Sequence, residues 1–278
     1  MYVPEFLRRW WHRMGSPKWF FETTGAWIPW FSVAAGLFLV PGLVWGLLFA
    51  PPDYLQGDSF RIIYIHVPAA MLAQSGYILM AVCGVILLVW RMKLADMVMT
   101  AVAPVGAAFT FLALATGSIW GKPTWGTYWM WDARITSVLI LLFLYLGIIG
   151  LRRAIDRPET AGRACAILAI VGVVNIPIIK YSVDWWMTLH QPATFRLTEA
   201  PAMPPSMWVP LLLCVIGFYL LFAVGVLQGA RTEVLERERR TRWVTELCGR
   251  LDVHSSGDQS SGEGGKSRGV RVEAGGRS

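Results

Sequence analysis

A segment dense in tryptophan, residues 120–137, lies between two long apolar stretches of the sequence. It is Trp-Gly-Lys-Pro-Thr-Trp-Gly-Thr-Tyr-Trp-Met-Trp-Asp-Ala-Arg-Ile-Thr-Ser, with Trp120, Trp125, Trp129 and Trp131 inside twelve positions. Indole rings are large, flat and mostly apolar, and each carries one polar N–H group. Four of them so close together favour a site that stacks against a large, flat, apolar ligand.

An interfacial aromatic belt is the competing explanation for this tryptophan segment. Trp and Tyr are enriched where a bilayer meets water, and this accounts for isolated residues such as Trp30 and Trp208. It accounts poorly for four indoles in one connection, because a belt places one or two aromatic side chains at each helix end. Gly121, Pro123 and Gly126 are expected to break the segment into turns that let the rings lie together.

Two histidines, His66 and His190, are the candidate metal ligands. Either one alone would be explained as an amphipathic side chain at the water boundary, but a pair beside the tryptophans favours a metal. Imidazole is a common axial ligand of haem iron, and the porphyrin offers a broad apolar face to indole rings. Zinc fits badly, because it needs three or four close ligands and this region holds two histidines, no cysteine and scattered carboxylates.

Haem also carries two propionates, which need cationic partners. Arg61 precedes His66 by five residues, and Arg134 follows Asp132 by two. Either arginine could form charge-assisted hydrogen bonds with a propionate, and contact with lipid headgroups is an equal alternative for each. Asp132 stands where a helix should begin, so its role is left open between an N-cap and a ligand contact.

Long apolar helices must position these side chains. The chain has 278 residues, of which 55% are hydrophobic and 15% charged, and its mean hydropathy of +0.49 excludes an ordinary soluble domain. A helix crosses a bilayer with about 20 residues, and lipid offers backbone groups no other partners. We expect an all-α integral membrane protein with six transmembrane helices, at residues 27–50, 62–90, 97–119, 135–151, 164–181 and 206–229.

The distribution of basic residues predicts the orientation of these helices. With both termini on one side, that side carries 20 of the 25 Lys and Arg residues and the other side carries 5. The positive-inside rule therefore places both termini in the cytoplasm and the tryptophan segment, between helices 3 and 4, on the periplasmic face. The excess basic charge is attributed to anionic lipid, and no nucleic-acid partner is expected.

Helix length places the candidate residues at one height. His66 lies 24 residues, and Trp120 lies 23 residues, from the cytoplasmic end of its helix. At 1.5 Å per residue these distances are about 36 and 35 Å. The 26 residues below His190 rise at most about 39 Å, and less if Pro177 bends the helix. Because the hydrocarbon core is about 30 Å thick, all three points should emerge at the outer interface.

Three parts of the chain are expected. Residues 1–26 form a cytoplasmic N-terminal segment, residues 27–229 the six-helix membrane domain with the tryptophan segment, and residues 230–278 a cytoplasmic basic helix and a Gly/Ser-rich disordered tail. The first apolar run is too long for a signal-peptide core and should remain as a transmembrane helix. The four cysteines form no Cys-x-x-Cys pair and are expected to be small apolar packing residues.

Three motifs together resemble a known family. Residues 125–137 resemble the tryptophan-rich WWD signature of the haem-handling proteins of cytochrome c biogenesis. Ile-Tyr-Ile-His-Val-Pro at 63–68 and Val-Asp-Trp-Trp-Met-Thr-Leu-His-Gln-Pro at 183–192 resemble the family's flanking histidine segments. Six helices with a single WWD loop are similar to cytochrome c maturation protein C, also called haem exporter protein C, whereas the larger WWD relatives have many more spans.

This resemblance implies a multi-pass protein of the bacterial inner membrane that binds haem b at the periplasmic face, with two axial histidines. It implies delivery of haem to a periplasmic haem chaperone, protein E of the same system, in a complex with small membrane protein D and ATP-binding-cassette subunits A and B. Binding and delivery, rather than classical catalysis, are the implied role, and promotion of covalent haem attachment is left open. The expected cofactor-binding residues are His66, His190, Trp120, Trp125, Trp129, Trp131, Asp132, Arg61 and Arg134, with the two histidines as metal ligands.

Two other functions remain open from the sequence. A transporter that moves haem across the bilayer should carry polar residues deep in its spans, and Gln74 and Asn175 are the main ones expected there. A quinone- or lipid-binding scaffold would use the tryptophans without any metal.

Overall fold

The computed structural model of the protein describes residue 13 and residues 15–186 and 203–249. In chain order its α-helices are α1 (Pro17–Gly25), α2 (Trp27–Val44), α3 (Ile63–Trp90), α4 (Lys93–Trp125), α5 (Ala133–Ala154), α6 (Pro158–Gly172), α7 (Asn175–Trp185) and α8 (Pro205–Glu238). A π-helical turn, Trp45–Phe49, extends α2, and a 3-10 turn, Asp58–Ile62, leads into α3. These described residues contain no β-strand.

Six helical stretches are long and apolar enough to cross a membrane. They are α2 with its π turn, the 3-10 turn with α3, α4 alone, α5 alone, α6 with α7, and α8. The predicted fold class, an all-α membrane protein with six spans, is confirmed. Which end of the bundle faces the periplasm stays a prediction from the charge distribution.

The end of α4 differs from the prediction. The sequence suggested an end at residue 119, but α4 continues to Trp125, so Trp120 and Trp125 lie on a helix rather than in turns. The expectation that Gly121 and Pro123 would break the chain is wrong, since the helix continues through both residues. Gly126 ends the helix, with φ at +79° and its N–H donated to the Lys122 carbonyl.

The fifth span is interrupted where the sequence allowed a bend. A turn at Val173 and Val174 separates α6 from α7. Pro177 is the third residue of α7, where its missing N–H has no helical partner to lose, and in a continuous helix its ring would collide with the Val173 carbonyl. Asn175 compensates by donating from Nδ2 to the Ser137 carbonyl at 2.8 Å, which joins this break to α5.

A tyrosine from α5 fills the centre of the bundle. Tyr145 is fully buried, and its hydroxyl donates to the Ala73 carbonyl of α3 at 2.8 Å. Its ring meets that of Tyr77 edge-on at 5.2 Å between centroids. The space for this ring exists because Gly106 of α4 has no side chain: a Cβ there would lie 2.3 Å from the Tyr145 ring. Small residues thus let three helices close around one aromatic side chain.

A buried ion pair joins the first turn of α4 to the last turn of α5. Arg152 pairs with Asp96 through both guanidinium Nη atoms, and its Nη1 also donates to the Pro158 carbonyl at the start of α6. Gly162 of α6 leaves room for the pair, since a Cβ there would lie 2.8 Å from an Asp96 oxygen. Buried charges need such full pairing, because an isolated one is strongly destabilising.

The chain divides into two units after Val234, inside α8. The described part of the second unit contains a helix at residues 242–249. Arg242 and Glu246 form an ion pair at 2.7 Å on its exposed surface.

We expect the Gly106→Ala variant to be markedly less stable than Gly36→Ala. The added methyl group would overlap the Tyr145 ring in the first variant, whereas a Cβ at Gly36 meets nothing within 4 Å. Overpacking of this kind costs roughly 1–3 kcal/mol. The thermal unfolding midpoint of each variant in detergent measures the difference, and equal midpoints would contradict this account of the core.

Candidate functional site

His66 lies in the first turn of α3 with its ring held against α4. Its Nδ1 atom is 3.0 Å from the Thr116 hydroxyl oxygen. The imidazole meets the Trp120 indole edge-on, with 5.6 Å between ring centroids and 75° between their planes. Gly117 allows this approach, because a Cβ there would lie 3.0 Å from the His66 Cε1 atom.

The sequence of α4 explains why it presents these groups together. Residues 116, 117 and 120 lie on one face of a helix, since positions separated by three and four residues are neighbours there. That face packs along α3. A hydroxyl, a bare backbone and an indole therefore surround one edge of the imidazole, so the structure brings His66 and Trp120 into direct contact.

Residues in the connection between the first two spans hold Trp120 in place. Its Nε1 donates to the side-chain oxygen of Gln56 at 2.7 Å, and Phe60 packs edge-on against it at 6.3 Å between centroids. Gln56 belongs to a tight turn in which its backbone N–H donates to Asp53 Oδ1 at 2.9 Å. Gly57 closes that turn with φ at +58°, which favours glycine. The indole is fixed at its polar end as well as its apolar faces.

Trp129 and Trp131 form a second ring pair in the connection between α4 and α5. Their centroids are 5.4 Å apart with planes at 75°. The Thr127 hydroxyl donates to the Trp129 carbonyl at 3.1 Å and stabilises the turn. Trp129 Nε1 is buried without a hydrogen-bond partner within the described residues, whereas Trp131 is 73% exposed. This pair combines an unused donor with an open indole surface.

Asp132 and Arg134 begin α5. Asp132 is the N-cap, and its Oδ1 accepts from the Ile135 N–H at 2.7 Å, so the capping role is confirmed. Arg134 donates from Nε to the Ser182 hydroxyl of α7 at 3.2 Å. Its guanidinium is half-buried with Asp132 and Asp184 close enough to act on it electrostatically. This arginine therefore connects α5 to α7 beside the tryptophan segment.

Arg61 is partly committed to local structure. Its Nη2 atom donates to the Ala50 carbonyl at 2.9 Å and lies 3.2 Å from an Asp58 oxygen. Its Nε is buried and has no hydrogen-bond partner in the part of the chain that the structure describes. Unpaired buried donors are uncommon in folded proteins.

The structure adds residues that the sequence did not single out. Tyr181 stacks on Trp185 with 5.5 Å between centroids and 26° between planes, and Trp185 meets Trp186 edge-on. The four-residue spacing of Tyr181 and Trp185 was the available signal for this aromatic cluster. Thr116, four residues before Trp120, could have been found in the same way, whereas nothing local marks Gln56.

Other predicted residues are placed apart from these contacts or are not described. Trp125 ends α4, and its ring lies beside Gly121. His190 lies outside the described residues, so its position relative to His66 stays a prediction. Among residues 13, 15–186 and 203–249, no three His, Cys, Asp or Glu side chains are close enough to hold a metal ion.

Six apolar helical spans, with an imidazole held against an indole at one end, define a multi-pass membrane protein with a cluster of aromatic side chains at that end. A family model described as heme exporter protein C matches residues 10–245. The chain is 50% identical to heme exporter protein C of Escherichia coli K12 over 236 residues, which cover 85% of this chain and 95% of that relative. It is 46% identical to the Haemophilus influenzae protein of that name over 240 residues, 86% of this chain and 98% of the relative. The Bradyrhizobium diazoefficiens protein is 48% identical over 228 residues, 82% of this chain and 86% of that relative.

The chain belongs to the heme exporter protein C family of bacterial membrane proteins. The resemblance inferred from the WWD segment and its flanking histidine motifs is thereby confirmed.

We expect the Asp132→Ala variant to destabilise α5 and Asp132→Ser to be tolerated. Loss of the N-cap acceptor costs about 1 kcal/mol, whereas serine supplies another oxygen to the Ile135 N–H. Thermal midpoints of the two variants in detergent test this capping role. A drop in Asp132→Ser as large as in Asp132→Ala would show that the charge, and not the cap, is what matters.

Proposed function

We propose that this protein binds haem b at the periplasmic face of the bacterial inner membrane and presents it to a periplasmic haem chaperone, protein E of the cytochrome c maturation system. Membership of the heme exporter protein C family gives the broader role, in haem export and cytochrome c maturation. The observation that carries the finer proposal is the His66 imidazole, held in contact with Trp120 at the end of the bundle where the WWD segment lies.

The donor groups fit haem better than a bare metal ion. A haem iron already has four porphyrin nitrogens and needs one or two axial ligands from the protein. His66 supplies one imidazole, and we propose His190, in the sequence motif Leu-His-Gln-Pro, as the other. The ring pair Trp129–Trp131 and the indole of Trp120 offer the flat apolar contacts that a porphyrin requires. Trp125, at the end of α4, is proposed for the same set.

The polar edge of haem also has candidate partners. The propionates are anions, and Arg61 Nε and Trp129 Nε1 are buried donors with no partner among the described residues. Arg134 is held near the tryptophan segment by Ser182. We propose that Arg61 and Arg134 bind the propionates through charge-assisted hydrogen bonds. Asp132 orients the start of α5 and so places Arg134.

In this role haem is cargo, and the protein's side chains orient it. The iron and the vinyl groups are supplied by haem, whereas the axial imidazoles and indoles fix which edge faces the acceptor. Trp131 is 73% exposed, which suits a site that must release its cargo to a second protein. We propose that small membrane protein D and ATP-binding-cassette subunits A and B complete the complex that releases the loaded chaperone.

Visible spectroscopy of the purified protein tests the axial ligands. Two imidazoles predict a low-spin haem spectrum, and removal of either ligand in His66→Ala or His190→Ala should weaken it or turn it high-spin. His254→Ala, which changes a histidine far along the C-terminal tail, is the matched control and should keep the wild-type spectrum.

Two results would contradict this assignment. A wild-type protein that stays colourless when co-expressed with the chaperone would remove the haem site altogether. Unchanged ligand content after both substitutions would instead support a metal-free quinone- or lipid-binding scaffold.

Delivery to the chaperone can be tested separately from binding. We expect Trp131→Ala to lower the covalent haem found on a co-expressed chaperone several-fold, because it removes the exposed indole of the site. Trp30→Ala is the matched control, since Trp30 is 76% exposed but lies near the opposite end of the bundle. Haem staining of the chaperone measures the effect, and equal losses in both variants would exclude a specific role for Trp131.

A further inference from the structure

We propose that Thr116 is a positioning residue that keeps the His66 proton on Nδ1 and so presents the Nε2 lone pair as the metal ligand. This inference rests on the proposed function only for its consequence, haem retention. The arrangement of hydrogen atoms is a property of the protein without its cargo.

Counting hydrogen atoms assigns the direction of the bond between the two side chains. A threonine hydroxyl has one hydrogen to donate and can accept through its lone pairs. The Thr116 hydroxyl donates to the Leu112 carbonyl at 2.6 Å, the usual bond of a helical threonine to the preceding turn. Towards His66, 3.0 Å away, Thr116 can then only accept. The hydrogen between them must come from His66 Nδ1.

A donating Nδ1 determines the chemistry of the other ring nitrogen. In a neutral imidazole one nitrogen carries the proton and the other carries a lone pair. Iron binds through that lone pair, and a hydrogen bond from the remaining N–H selects the tautomer and strengthens the ligand. Thr116 thus relates to His66 as the second partner that metal-binding histidines ordinarily have.

The neighbours of the ring support the same orientation. The χ2 angle of histidine is broad and roughly two-fold, so packing must decide which nitrogen faces which way. Gly117 lets the Cε1 edge approach the α4 backbone, and the Trp120 indole stands against the imidazole at 75°. Trp120 is in turn fixed by Gln56. The hydroxyl of Thr116 is the group in this set that distinguishes Nδ1 from a ring carbon.

The first test measures the tautomer in the haem-free protein. Nitrogen-15 NMR of histidine-labelled full-length protein in detergent reports which imidazole nitrogen carries the proton, and His66→Gln identifies the His66 signals. We expect a protonated Nδ1 in the wild type and in Thr116→Ser, which keeps a hydroxyl. Thr116→Val, which keeps the shape but loses the acceptor, should give a mixture of tautomers.

The second test measures haem retained through purification. Loss of a second partner of a metal-bound histidine typically weakens binding by roughly 10–100-fold. We expect at least a tenfold loss for Thr116→Val, with Thr116→Ser close to the wild type. Thr110→Val is the matched control, because Thr110 makes the same hydroxyl bond within α4, to the Gly106 carbonyl at 2.7 Å, without touching His66.

The outcomes separate this inference from the proposed function. A wild-type His66 protonated on Nε2, or haem retention in Thr116→Val equal to that of Thr110→Val, would overturn the role of Thr116. Full haem retention in His66→Gln would instead overturn His66 as a ligand, and the NMR result would still decide the tautomer. If neither valine variant folds, Thr116→Ser remains as the test, and loss of the Nδ1 proton in that variant would equally overturn the inference.

Discussion

The structure depends on the rule that lipid offers no partners to backbone polar groups. Every crossing of the membrane must be helical, and successive crossings run in alternate directions. Residues far apart in the chain therefore meet at the ends of the bundle. His66 begins one helix, Trp120 lies near the end of the next, and Gln56 precedes both, yet the three form one contact chain. The proposed site lies at the helix ends, where connections between helices can expose polar groups.

Close packing of the helices is what gives that site its rigidity. Tyr145 occupies the space left by Gly106 and bonds to the Ala73 carbonyl, so α3, α4 and α5 are held at fixed separation. At the other end the Asp96–Arg152 pair joins α4 to α5. Because α3 and α4 cannot slide past each other without breaking these contacts, the first turn of α3 stays in register with the last turns of α4.

The site itself combines polar anchors with apolar surfaces. The His66 imidazole and the Trp120 indole each have a polar partner that fixes the ring, Thr116 for the imidazole and Gln56 for the indole. In the second ring pair, Trp129 has a buried N–H group and Trp131 has an exposed face. Such a division suits the proposed role, since a cargo site needs firm orientation on one side and access for an acceptor on the other.

The sequence by itself determined the membrane class, the six spans, the family and the identity of the aromatic and imidazole groups. These follow from composition and local spacing, which do not depend on which residues are close together in the folded structure. It missed the extension of α4 to Trp125, because tertiary packing and a glycine at φ +79° set that end, not the proline before it. Only the tertiary structure decided that Thr116 and Gln56 hold the two rings, since hydrogen bonds between residues 50 and 64 positions apart depend on helix register. Helix register is a property of how side chains fill the space between helices, and no single segment encodes it.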